Sequence, residues 1–461
     1  MKRREFLSLG IASAASLALN NLLNPGFSFA QGAAQQNAPI KFLFVVYLGG
    51  GIDPFYAYPI LDSTVRSKLA TVRGDILVPN NDVLRLDPNL PFGLHPHYQT
   101  LIDALGTDFR KQLKVFAGVG SPSGDRSHFN AARELSKGCY SVADNQNIES
   151  GWLSRLIQYY NFQKGQAFSV GAINNANFYL NINDLVYTTP SSMQGLELSH
   201  DYYSKFSYTF FKDRAQNADT PIGGGIKADL VDGYKSMDNF IDEFKGIRTP
   251  AFTPVGGDAN NNNFISKALS AGEIANWHVA SGNYPKTLLV GLDIGGFDTH
   301  EKIIQTLNGE GGATGRIFAL STGLAKLVEK LKTISLGSGE TAWDRSGILV
   351  CSEFGRQIEV RNNSVNNLGS DHGFATNYMM LSGAFKNNTP ISYGQSLKVA
   401  DIDNRAVNSN AWTPNLNFLA PIAALIRGAG YDPEQILPLT TPAGRFPLPR
   451  WQTQEPLNLF A

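Results

Sequence analysis

Cysteine is almost missing. Two residues in 461, Cys139 and Cys351, cannot build a cysteine-ligated metal site, and a disulfide framework is not expected from them. Charge of either sign is not in excess: 39 basic groups face 39 acidic ones. No basic tract of five or more residues occurs, so nothing electrostatic points to nucleic acid or to an anionic lipid surface. Internal repeats are absent, which excludes a solenoid. Long apolar runs are lacking too. The weakly apolar stretch Leu9–Leu23 contains Ser, Gly and Asn and is too short for a hydrocarbon layer of about 30 Å, so no stable membrane anchor is expected.

That stretch has another reading. It follows Lys2-Arg3-Arg4-Glu5-Phe6-Leu7 and precedes Ser28-Phe29-Ala30, the order of a charged region, an apolar region and a small-residue cleavage site. The paired arginines are the form read by the twin-arginine translocase. Residues 1–30 are therefore expected to be an export signal, with the translocase as a transient partner and a periplasmic or extracellular mature chain. Without the signal the chain keeps 36 basic and 38 acidic groups, a net charge near −2.

What is present is strand and helix in alternation. After a polar linker, 31–39, come apolar runs bounded by turn residues: Phe42–Leu48, Val115–Val119, Thr287–Leu292, Gly347–Cys351 and Tyr378–Leu381. Runs without alternation suit strands buried on both faces, hence a largely parallel sheet covered by helices. Helical periodicity appears at His128–Lys137, Gly151–Tyr160 and Ile317–Leu331. An α/β domain over 40–450 is expected, followed by a short tail, 451–461. Residues 175–284 are rich in Asn, Tyr, Ser and Gly and are expected to form an insertion or cap, flexible near 249–263.

In an open parallel sheet, ligands bind beyond the carboxyl ends of the strands. There this chain carries Gly49-Gly50-Gly51-Ile52-Asp53, Asp125-Arg126-Ser127-His128-Phe129, Gly296-Phe297-Asp298-Thr299-His300 and Ser352-Glu353-Phe354-Gly355-Arg356, with Asp371-His372-Gly373 just before the last run. Carboxylates and imidazoles arriving together at one edge suit a hard or borderline divalent metal: Zn, Mn, Mg or Ca. Any one segment alone reads as an ordinary helix cap. His95 and His97, in Leu94-His95-Pro96-His97, are ambiguous between the site and a turn. Ser127 opens an apparent helix, as its cap or as a hydroxyl placed where a phosphate or sulfate would be held.

These motifs, together with Leu94-His95-Pro96 and Gly151-Trp152-Leu153, resemble the exported domain-of-unknown-function 1501 family over about residues 40–390. That family resembles a branch of the alkaline phosphatase/sulfatase superfamily. The resemblance implies an α/β/α sandwich with two metal ions at the strand ends and a hydroxyl nucleophile, here Ser127. It puts Asp53 at a second metal and Asp298 and His300 at a first, with Asp293 a rival to Asp298. Asp371-His372 has two readings. By letter, Asp371 and His372 ligate the second and first metals; by position, His372 completes the first metal and Glu353 takes the second-metal acid role. Phe354 stands where the superfamily carries a histidine. The expectation is a metal-dependent hydrolase acting on small anionic esters of phosphate or sulfate. The alternative is a non-catalytic exported binding or structural protein that keeps the fold and one metal.

Overall fold

The computed structural model describes residues 37–140, 150–163, 165–170, 186–189, 247–255, 259–309, 315–360, 368–439 and 444–460. The chain divides into two compact units. The larger comprises 33–193 and 248–461; the smaller, 1–32 and 194–247, lies outside the described residues but for Ile247. The expected export signal is among the residues outside.

The larger unit is built on a nine-stranded sheet. Its strands are β1 (Phe42–Leu48), β2 (Leu113–Gly120), β3 (Ala167–Val170), β4 (Val186–Thr189), β5 (Leu288–Ile294), β6 (Ser346–Ser352), β7 (Thr376–Leu381), β8 (Ser392–Gly394) and β9 (Leu416–Asn417). They lie in the order β8-β2-β7-β6-β1-β5-β3-β4, with β9 also beside β2. All pairings are parallel except the two that β7 makes, with β2 and β6. The protein is thus an α/β fold with a mostly parallel central sheet, as the apolar runs predict.

Seven helices matter here: α1 (Pro54–Ala57), α2 (Ser63–Arg73), α3 (His128–Lys137), α4 (Trp152–Tyr159), α5 (Ala259–Ala280), α6 (Arg316–Thr333) and α7 (Leu419–Gly428). The sequence Phe-Leu-Phe-Val-Val-Tyr-Leu of β1 is buried at every position, because helices cover both faces. Leu43, Val45 and Tyr47 face Trp152 and Leu156 of α4 and Leu419, Ile422 and Ile426 of α7 in one core. On the opposite face Phe42 meets His278 of α5 edge-on at 6.0 Å, and α5 packs along β5 and α6. Gly323 makes that close: a Cβ there would come 2.5 Å from the Phe264 ring.

Two expectations change. The Asn260–Asn263 run, read as part of a flexible stretch, lies in the first turns of α5. Its amides have fixed partners: Asn261 Oδ1 accepts from Arg316, and Asn262 exchanges hydrogen bonds with Val255 N and O at 2.8 and 3.0 Å. From residue 259 on, the stretch expected as an insertion therefore belongs to a covering layer of the sheet, while 171–185 and 190–246 lie outside the described residues. The expected tail also packs: Trp451 is fully buried and donates its indole N–H to Pro438 O at 2.8 Å.

Candidate metal centre

Strand register assembles the site. Leu48 is level with Ile294 of β5 and with Ser352 of β6, so the segments beginning at Gly49, Gly295 and Glu353 leave the sheet side by side. β2 runs the same way and delivers Arg126-Ser127-His128. The reversed strand β7 begins at this edge, which is how the segment 369–373, lying before a strand and not after one, reaches the others. Gly50 permits a close approach: its φ is +116°, and a Cβ would stand 2.3 Å from Asp298 N.

Four side chains meet there. His128, Asp298, His300 and His372 each offer one donor atom, and these atoms all lie within 4.8 Å of one another. The Nε2 atoms of His128, His300 and His372 are 3.3, 3.1 and 3.5 Å from Asp298 Oδ1. His300 Nε2 and His372 Nε2 are 2.9 Å apart. Four donors about 2.1 Å from a tetrahedral zinc-like ion would be spaced by about 3.4 Å, so the Asp298 spacings already suit such an ion.

The rings are turned inward by fixed acceptors. His372 Nδ1 donates to Arg126 O at 2.7 Å, and His128 Nδ1 donates to Glu353 Oε1 at 2.9 Å. In a neutral imidazole each bond leaves the lone pair on Nε2, the atom that faces the cluster. The Glu353 side chain is wholly buried and also accepts from Gly50 N at 2.8 Å and Ser352 Oγ at 3.1 Å. Asp298 Oδ1 accepts from Arg356 at 2.6 Å. That buried guanidinium also binds Gly51 O at 2.8 Å, Ser370 O and Phe297 O at 3.1 Å, and Gly50 O, tying three loops together. Phe354 lies beneath, 4.9 Å from the His128 ring and 4.7 Å from that of His372.

Charge follows from these contacts. Burial works to raise the Asp298 carboxyl, but His128, His372 and Arg356 overcome it and hold the group far below the ordinary carboxylate range. Hydrogen bonds to Asp298 and Glu353 push His128 up to about 9. Desolvation lowers His300.

The expected site residues separate into four groups. Asp298, His300 and His372 are in the cluster. Glu353 and Asp371 flank it: Glu353 orients His128, and Asp371 Oδ1 accepts from His372 N at 2.8 Å and stands 3.7 Å from His300 Nδ1. Ser127 directly precedes His128 at the start of α3, where its side chain makes no capping hydrogen bond. Asp53 is not brought in. Its carboxylate caps α1, accepting from Phe55 N and Tyr56 N at 2.9 and 3.0 Å, and is paired with buried Arg73, so both oxygens are engaged. Asp293, the rival of Asp298, is paired with Lys267 of α5 at 2.6 Å. The rings of His95 and His97 lie 4.8 Å apart, tilted by 48°; His95 Nδ1 accepts from His97 N at 3.1 Å and His97 Nε2 donates to Asn308 O at 3.2 Å, a turn role. His128 and Arg356 carry no assignment on sequence grounds, although both stand in the strand-end segments singled out there.

Glu353→Gln tests the orienting role. A Gln oxygen still accepts from His128, but the negative charge that makes the imidazole a better ligand is gone. Zinc affinity measured against a chelator should fall by about 10–100-fold, the usual cost of an outer-shell change, with the fold retained by circular dichroism.

Residues 285–416 match a family model described as "Protein of unknown function (DUF1501)". The matched stretch carries Asp298, His300, Glu353, Asp371 and His372, and not Ser127 or His128. Among curated proteins none matches the chain. Among solved structures, the phosphonate monoester hydrolase of Agrobacterium radiobacter is similar at 9% identity and a TM-score of 0.26, over 84% of this chain and 73% of that one.

Proposed function

We propose that the protein is an exported metal-dependent hydrolase of small phosphate or sulfate esters, with one metal held by His128, Asp298, His300 and His372. The observation that carries this is the convergence of three Nε2 atoms on Asp298 Oδ1, two of them from rings whose Nδ1 is committed elsewhere. Three imidazoles and one carboxylate favour a borderline cation such as zinc or manganese over magnesium or calcium, which prefer all-oxygen sites. A divalent cation there supplies Lewis-acid charge for an ester oxygen and lowers the pKa of a nearby hydroxyl.

Ser127 is the proposed nucleophile. It adjoins His128 in the chain, and its hydroxyl is not used as a helix cap. Its oxygen would bond to phosphorus or sulfur as it loses its proton, while the bond to the leaving alcohol breaks and that oxygen gains a proton; water then releases the serine. Side chains of Asp298 and His300 are nearly half exposed, so an ester can reach them from solvent. Among the described residues no helix is long and apolar enough to cross a membrane. Export by the twin-arginine translocase is part of the proposal, resting on residues 1–30.

One feature favours the alternative, a non-catalytic binding protein. Asp53, whose counterpart would hold a second metal, is neutralised by Arg73. Ser127→Ala separates the two readings. With zinc content unchanged, turnover of an aryl phosphate or aryl sulfate should drop by roughly a thousandfold or more if Ser127 is the nucleophile, in line with the loss of a nucleophile elsewhere. A wild type that holds zinc but turns over neither ester would leave the binding reading standing.

A further inference from the structure

Arg126 and Arg445 place their guanidinium groups over the same ring. Their carbons stand 5.0 and 4.4 Å from the centroid of Phe374, and Arg445 also lies 5.7 Å from the centre of Phe446. Both have neutral hydrogen-bond partners. Arg126 Nη1 donates to His372 O at 3.1 Å, and Arg445 Nη2 donates to Ser409 Oγ at 3.0 Å. Among the described residues neither meets a carboxylate. Asp125 adjoins Arg126 but is committed to α3, accepting from Ser127 N at 2.7 Å and Asn130 Nδ2 at 2.9 Å. Two guanidinium groups held at one aromatic ring without a counter-ion leave fork-like donors that suit an oxyanion.

The pair is fastened to the metal cluster. Arg126 accepts the His372 Nδ1 hydrogen bond on its own carbonyl, and Phe374 lies two residues beyond His372. The segment that carries Arg445 is clamped to the same loop, with Phe446 N donating to Pro122 O at 3.0 Å. We propose that Arg126 and Arg445, braced on Phe374, form an oxyanion subsite beside the cluster, for a second phosphate, sulfate or carboxylate group of the molecule bound there. That the molecule's other end sits at the metal rests on the proposed function; the subsite itself does not.

The test uses inorganic sulfate and the full chain, zinc-loaded or stripped with chelator, by calorimetry at constant ionic strength. Sulfate should bind both forms. Arg445→Gln, which alters an exposed side chain, should weaken it about tenfold, Arg126→Gln at least as much, and Arg445→Lys less than Arg445→Gln. Equal sulfate affinity in wild type and Arg445→Gln, or no binding by the stripped wild type, would overturn the subsite. Sulfate bound only by the zinc-loaded form and insensitive to Arg445 would mean an anion on the metal, so the subsite would fall while the metal reading stood. A chain that takes up no zinc, yet binds sulfate through Arg445, would keep the subsite and end the metal reading.

Discussion

His128→Ala should cost the protein its metal, lowering zinc affinity by more than the 10–100-fold typical of changes outside the ligand set. His372→Ala should do the same. The choice of His128 is informative because its ring makes no sense as a core histidine. One nitrogen is held by a buried carboxylate and the other faces Asp298 at 3.3 Å. The metal-free ring is pushed up to about 9, chiefly by its hydrogen bonds to Asp298 and Glu353. It therefore carries a proton at pH 7, on the nitrogen a metal would need. Zinc uptake at pH 7 should release close to one proton from this residue, and affinity should rise with pH until about pH 9. Proton release measured in two buffers of different ionisation enthalpy should be smaller in any residual binding by the His128→Ala variant. If elemental analysis finds equal zinc in wild type and both histidine variants, the cluster is an ion-pair network and not a metal centre.

How much of this was legible in the sequence follows from the two kinds of information involved. Strands buried on both faces leave unbroken apolar runs, so β1, β2, β5, β6 and β7 can be read directly, and the segments at their ends can be gathered at one edge by the parallel-sheet rule. Which residue of each segment turns inward is another matter. It depends on partners far away in sequence. Asp53 and Asp298 both follow a strand and a glycine-rich turn, but Asp53 meets Arg73 and Asp298 meets Arg356 and three histidines. Glu353 reads as a ligand because it stands at a strand end, and only the position of the His128 ring shows that it meets the cluster through that ring. His128 itself reads as the first residue of a helix, and it is that. A helix start aimed at the strand-end edge was the available signal.

Asp53→Ala should be severely destabilising and should leave zinc affinity nearly unchanged. Asp53 and Arg73 are both buried, at 0% and 3% exposure, and they pair directly. Taking two charges out of water is offset only by their attraction and by the remaining hydrogen bonds. Here those bonds come from Phe55 N and Tyr56 N to Asp53, and the Phe55 ring lies 4.9 Å from the guanidinium carbon. Alanine at 53 strands the Arg73 cation in the interior, a loss of about 3–5 kcal/mol, and removes a helix cap contributing about 1 kcal/mol more. Asp53→Asn keeps the cap and should fall between alanine and wild type. The double change Asp53→Asn with Arg73→Met removes the stranded charge and should recover much of the loss, which a merely additive pair could not do. Urea unfolding midpoints read these differences, and zinc titration of the folded double variant reads the site. A double variant that is stable but has lost its zinc would place Asp53 in the metal centre after all.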